Sequence, residues 1–221
     1  MNLVFLRKLK GEKMSKIVWI TLMMGVVSLF ANPSSEEILG QALKRYESNR
    51  AFEMKFQVLS LNEMTGDKSQ NSGFLKTGNA GEFLLRTPQV EFYSDNKTFW
   101  DYRPISKQVV VKNFADVQMK MGPSQVLLKY LGCQARSMML EKVGKKSVWK
   151  MDLIPNKGLQ QYSELRVWLD PQTFEPIQME TLDYSENLTQ YKIESFKILR
   201  TSVPTDFIFP SPQGVEIIDM R

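Results

Sequence analysis

The sequence has 221 residues, 43% of them hydrophobic and 24% charged, with 29 basic and 24 acidic side chains and a net charge of +5. It contains no histidine and one cysteine, Cys133, which excludes Ser-His-Asp and Cys-His nucleophile systems, histidine-ligated zinc and an internal disulfide. Residues 1–31 hold five of the basic residues and one of the acidic ones, leaving 24 against 23. The rest of the chain is therefore near neutral, and the charge gives no reason to expect nucleic acid as a partner.

Arg7, Lys8, Lys10, Lys13 and Lys16 precede a short apolar run, Ile17 to Phe30, and the small residue Ala31. This is the order of an export signal. The run is shorter than the ~20 residues of a comfortable membrane span. Met14 could itself open a complete signal. Residues 1–31 are thus expected to be a cleavable signal peptide, and residues 32–221 one exported domain. Cys133 is expected to be a small buried apolar side chain.

Ser34 and Glu37 stand at capping-box spacing, and Ile38, Leu39, Ala42, Leu43 and Tyr46 recur on one face, so an amphipathic helix is expected to end near Ser48. After Asn49 the period changes to two. Phe52, Met54, Phe56 and Val58 alternate with Glu53, Lys55 and Gln57, a strand with one apolar face. Further strands are expected at Gly73 to Lys76, Glu82 to Thr87 and Gln108 to Lys112. Between them, Val90 to Pro104 reads as a β-hairpin turning at Asp95-Asn96. That register sets Phe92 opposite Phe99 and leaves Tyr93, Trp100 and Tyr102 on the other side, so both faces of the hairpin carry aromatic surface.

Pro123 and Gly132 bracket a short second helix. Strands resume at Met138 to Val143, Ser147 to Ile154, Ser163 to Leu169, Ile177 to Tyr184 and Leu188 to Leu199, joined by tight turns. The lysines at 142, 145 and 146 surround one turn and read as a solvated tip. About ten strands in a meander, with only two helices, make a mainly β (α+β) protein. Its single antiparallel sheet is expected to curl around the helices and leave a cavity between.

Asp95-Asn96-Lys97-Thr98-Phe99-Trp100-Asp101-Tyr102-Arg103-Pro104 resembles the D-G-K-x-x-W-x-Y-x-P segment of the periplasmic outer-membrane lipoprotein carrier family, LolA. Phe207 to Asp219 is similar to the family's F-x-F-x-x-P-x-G-V-x-V-x-D ending. Asp152-Leu153-Ile154-Pro155 and Asp183 to Tyr191 stand between them in the expected order.

The resemblance implies an unclosed β-barrel of antiparallel strands, lidded by two to three helices, whose interior takes the acyl chains of a lipoprotein. It implies a monomer in the periplasm, loaded by an inner-membrane ATP-driven release complex and unloaded to an outer-membrane receptor, with no cofactor and no catalysis. The implied lining includes Leu39 and Leu43 on the first helix, Phe56, Phe83, Phe92 and Trp100 on strands, and Leu127 and Leu128 on the lid. Where the family often carries a lid-latching arginine this chain has Thr77, and nearby Arg86 is the candidate to replace it.

Other readings compete with the carrier. A periplasmic lipid sensor would usually carry a further C-terminal domain, and the outer-membrane receptor would carry a lipidated cysteine just after its signal, whereas the first cysteine here is Cys133. A cell-envelope structural protein would hold no lipid. A carboxylate-based glycoside hydrolase could pair Asp152 with Glu164 or Asp183 with Glu180.

Overall fold

The first helix, α1 (Ser35–Ser48), begins as its cap dictates: the Ser34 hydroxyl accepts the Glu37 N–H at 3.1 Å. Its buried side chains are Ile38, Leu39, Ala42 and Tyr46, the stripe expected from the 3.6-residue period. The computed structural model describes residues 33–48, 51–117 and 123–221, and the signal expected over 1–31 lies outside them.

Six strands follow α1: β1 (Phe52–Asn62), β2 (Lys68–Thr77), β3 (Phe83–Arg86), β4 (Glu91–Ser94), β5 (Thr98–Arg103) and β6 (Gln108–Asn113). Helix α2 (Pro123–Leu131) interrupts them. It stops where the Gly132 N–H reaches the Leu128 carbonyl at 2.9 Å. Then come β7 (Gln134–Val143), β8 (Lys146–Ile154), β9 (Tyr162–Leu169), β10 (Pro176–Asp183), β11 (Asn187–Ile198) and β12 (Glu216–Asp219).

All twelve strands join one sheet in the order β12-β6-β5-β4-β3-β2-β1-β11-β10-β9-β8-β7, and the end strands β12 and β7 are not paired with each other. The barrel is open. Helix α1 touches β7 while α2 touches β2, and five strands lie between these two in the sheet order. A flat sheet could not bring both strands to one helix pair, so the sheet curls around the helices.

The structure departs from the sequence reading in several places. Among the described residues the strand count is twelve rather than about ten, and the sheet is mixed, because β12 runs parallel to β6 with Ile217 opposite Val109. Strand β2 also begins at Lys68 instead of Gly73. Its first residues, Lys-Ser-Gln-Asn, are poor strand formers, but the β1–β2 turn zips them onto Leu61, Ser60, Leu59 and Val58 of β1, and pairing overrides propensity.

The hairpin turns one residue later than its sequence suggests. Asp95 Oδ1 accepts the N–H groups of Lys97 at 2.9 Å and Thr98 at 2.7 Å, and Asn96 takes the left-handed conformation with φ +69°. Tyr93 therefore pairs with Trp100 and Phe92 with Asp101. Moving the turn by one residue slips the partner strand by two, which preserves the faces: Phe92 and Phe99 still share one side, with ring centroids 5.4 Å apart.

The two faces carry separate cores. On the inner side, Ile38, Leu39, Tyr46, Leu127 and Leu131 of the helices pack against Phe52, Phe56, Met151, Leu165 and Val167 of the sheet. On the outer side, Leu84, Tyr93, Val109 and Val111 are covered by Phe207 and Phe209, with Trp100 and Tyr102 at the margin. After β11 the chain makes a 3-10 turn (Pro204–Phe207) and runs as a strap across the outer face to β12. Lys76 helps to fix the strap, its ammonium lying 2.9 Å from both Glu53 and Asp206.

Candidate functional site

The inner face is the candidate site, and its floor follows from alternation. In β1, Phe52, Met54, Phe56 and Val58 point inward, and the register carries this face to Leu75 of β2 and then to Leu85 of β3 and Phe92 of β4. The Phe56 ring lies against Gly73, where a Cβ would overlap it. Only glycine leaves room for that aromatic floor.

The helices form the cover. Leu39 and Leu127 are buried, at 4% and 5% exposure, and Leu43 and Leu128 are half-buried against the same core. Polar bonds hold the C-terminal ends of both helices. The Tyr46 O–H donates to the Phe174 carbonyl at 3.2 Å and Arg45 reaches Glu175 at 3.3 Å, while Asn156 donates to the Lys129 carbonyl at 3.3 Å. Burial, with the Glu175 carboxylate adding to it, pushes the Tyr46 phenol far above its ordinary range. That hydroxyl stays a donor.

Phe83 and Phe92 sit further along the inner face, Phe83 buried among Phe99 and Phe114, with centroids 6.4 and 6.3 Å away. Thr77 is fully buried, and its hydroxyl accepts the Phe52 N–H at 3.1 Å. It anchors β1 to β2. Trp100 and Arg86 stand on the opposite side of the sheet. Trp100 pairs with Tyr93 and Val111 and packs into the strap-covered core. Arg86 donates to the Tyr93 hydroxyl at 2.9 Å and lies 3.3 Å from Glu91. The structure thus brings together Leu39, Leu43, Phe56, Leu127 and Leu128 on the inner side, with Phe83 and Phe92 beyond them on the same face.

The carboxylates considered for hydrolysis lie on the outer face. Asp152, Glu164 and Glu180 all surround the Arg166 guanidinium. Arg166 fills the space a sugar and a water would need between a catalytic pair. Asp183 accepts from the Ser185 and Asn187 N–H groups at 2.8 and 2.9 Å and shapes the β10–β11 turn. These residues read as framework. Among the described residues no group of three or more acidic, cysteine or histidine side chains could hold a metal, and no helix is long and apolar enough to cross a membrane.

No protein-family model and no curated protein matches this sequence. Solved structures do. An uncharacterized conserved protein from Thermus thermophilus superposes over 81% of this chain and 98% of its own, with a TM-score of 0.51 at 12% identity. The chain shares that protein's fold. More distant superpositions include a putative outer membrane lipoprotein-sorting protein domain from Vibrio parahaemolyticus, over 79% of this chain and 97% of that one, with a TM-score of 0.40 at 14% identity. A LolA superfamily protein from Nitrosomonas europaea superposes over 77% of this chain and 97% of that one, with a TM-score of 0.39 at 10% identity.

Proposed function

We propose that this protein is an exported carrier of lipoproteins, holding their acyl chains between the helix pair and the inner face of the sheet. It takes cargo from an inner-membrane ATP-driven release complex and delivers it to an outer-membrane receptor or to the outer membrane itself. The observation that carries this reading is the open sheet curled around two helices whose contact with it is almost wholly apolar. Most of such a contact can be exchanged for acyl chains without desolvating polar groups, the polar bonds being confined to the C-terminal ends of the helices. The sequence resemblance to the carrier family supports the same reading.

The energetics favour an exchange over a preformed empty cavity. Each buried methylene contributes about 0.8 kcal/mol, so dry burial of several long chains would hold cargo too tightly for release. When the chains enter, Leu39, Leu43, Leu127 and Leu128 lose their contact with Phe56 and its neighbours. That loss offsets part of the gain and keeps the complex reversible. The lining is Leu39, Leu43, Phe56, Leu127 and Leu128, with Phe83 and Phe92 at its far end. Trp100 serves the outer core instead, and Arg86 braces Tyr93.

The test is purification from the periplasm under native conditions followed by mass spectrometry. Co-purifying lipoprotein supports the carrier. Free lipid alone points to another lipid-binding role, and a ligand-free protein points to a structural one.

A further inference from the structure

The outer face of β1, β11 and β10 changes character along its length. Glu53, Lys55 and Gln57 of β1, Gln190 and Lys192 of β11, and Gln178 and Glu180 of β10 point outward, as a face turned to water requires. Toward the β1–β2 and β10–β11 turns the same face becomes apolar. Leu59 and Leu61 follow on β1, and the register sets Leu61 opposite Leu188 of β11 and Leu188 opposite Leu182 of β10. Leu59 is 41% exposed and the other three leucines are half-buried.

The two turns extend this patch. The Glu63 N–H donates to the Glu186 carbonyl at 2.9 Å, and the Asn62 amide donates to Asn187 Oδ1 at 2.8 Å, which keeps the turns side by side. Met64 in one and Tyr184 in the other are 78% and 75% exposed. Phe207 and Phe209 of the strap cover the outer face over β3 to β6. Among the described residues, Leu59, Leu61, Leu182 and Leu188 belong to neither core. Large apolar side chains gathered on one stretch of outer surface and rimmed by polar ones mark a place that another molecule covers.

Charge selects the kind of molecule. The turns carry Glu63, Asp67, Asp183 and Glu186 and no basic residue, while Lys68 stands opposite Leu61 on β2. A second copy of this chain would bring the same carboxylates against these, and an anionic lipid leaflet would be repelled in the same way. A protein surface with an apolar pocket ringed by lysine or arginine meets both requirements. The pocket takes Met64 and Tyr184, and the ring pairs with the carboxylates.

We propose that the outer-face patch of Leu59, Leu61, Leu182 and Leu188, with Met64 and Tyr184 at its end, docks a partner protein through such a basic-rimmed apolar surface. The patch lies on the side of the sheet away from the helices, so a partner bound there leaves the inner face open. The assignment does not depend on the carrier reading.

The experiment places the photo-cross-linking residue p-benzoylphenylalanine at Leu59, at Tyr184 or at Lys192 of the full chain, irradiates cells that make the protein, and identifies the adducts by mass spectrometry. The captured protein is then purified and titrated against the wild type, the M64A/Y184A variant and the E63K/E186K variant. The same protein adduct is expected at Leu59 and Tyr184, with none at Lys192. Its Kd is expected to rise about tenfold in M64A/Y184A, the weight of one or two central contact side chains. It should rise again in E63K/E186K and with added salt, which screens the charge pairing. Glu63 and Glu186 join the turns through backbone atoms and all four side chains are exposed, so both variants are expected to keep the wild-type denaturation midpoint. Adducts only between copies of this chain, adducts only with lipid, or no adduct at either position overturns the proposal. So does equal capture at Lys192, or a captured protein whose affinity is unmoved by salt and by both variants.

Discussion

The Phe209 ring meets the Tyr93 ring edge-on, with centroids 5.5 Å apart, so the outer aromatic face of the β4–β5 hairpin is closed by the chain's own C-terminal strap. Phe207, fully buried beside it, is the strap's main anchor. Phe207→Ala should lower the unfolding free energy by about 3–5 kcal/mol, the usual cost of an emptied aromatic site. Urea denaturation checks this, with a lower midpoint expected and lipid affinity unchanged, since the strap lies on the side away from the helices.

Gly73 is fixed by the ring above it. A Cβ at this position overlaps Phe56, so Gly73→Ala must push the aromatic floor toward the helices. Overpacking of this kind costs about 1–3 kcal/mol. Thermal denaturation of the ligand-free protein should show the loss. A lipid titration should show weaker binding as well, because the displaced ring occupies the space proposed for acyl chains.

On the outer face, Arg166 gathers Asp152, Glu164 and Glu180, and Glu180 is the most buried of the three. Arg166→Ala leaves that carboxylate without its cation and should cost roughly 1–3 kcal/mol, less than a fully buried pair because the arginine is part-exposed. Arg221→Ala removes the exposed contact with Asp219 and should leave the denaturation midpoint unchanged. The pair of variants separates framework from surface.

The alkaline limb of the pH dependence should be set by tyrosines. With no histidine in the sequence, stability is expected to be flat through neutrality. Burial raises the phenols of Tyr46, Tyr93, Tyr130 and Tyr191, and holds Tyr93 at about 12. In the unfolded chain these groups ionise near 10. Between those values the folded state keeps protons that the unfolded state has lost. Their stabilisation is therefore complete below pH about 10 and declines as pH rises toward 12. Phenolate absorbance should rise in step with unfolding at those four tyrosines.

Local chemistry made much of this fold legible in sequence. The Phe52, Met54, Phe56, Val58 alternation, the Ser34 cap and the aromatic split of the hairpin all survive in the structure, because each depends on neighbours within a few residues. Alternation sorted Phe92 from Trp100, but it cannot say which side faces the helices. That was decided by the strap, whose Phe207 and Phe209 arrive from over a hundred residues away. The same distance hid β12: four exposed residues held to β6 by parallel pairing leave no burial pattern to read. Lys68 to Asn71 were hidden differently, by polar residues that pair because β1 is already there.

The cover should respond to its tether. Tyr46 holds the end of α1 to the β9–β10 turn by donating to the Phe174 carbonyl, while its ring stays edge-on to Phe196, with centroids 5.4 Å apart. Tyr46→Phe keeps the ring and removes the hydroxyl. The free protein should lose about 1 kcal/mol of stability, the net worth of one neutral hydrogen bond. If lipid must displace α1 to enter, opening becomes easier by the same amount, and affinity for acyl ligands should rise roughly fivefold as the population shifts toward the open state. Denaturation and lipid titration on one preparation measure both quantities. Lower stability with tighter binding supports a displaceable helix; lower stability with unchanged binding means that α1 stays in place when lipid enters.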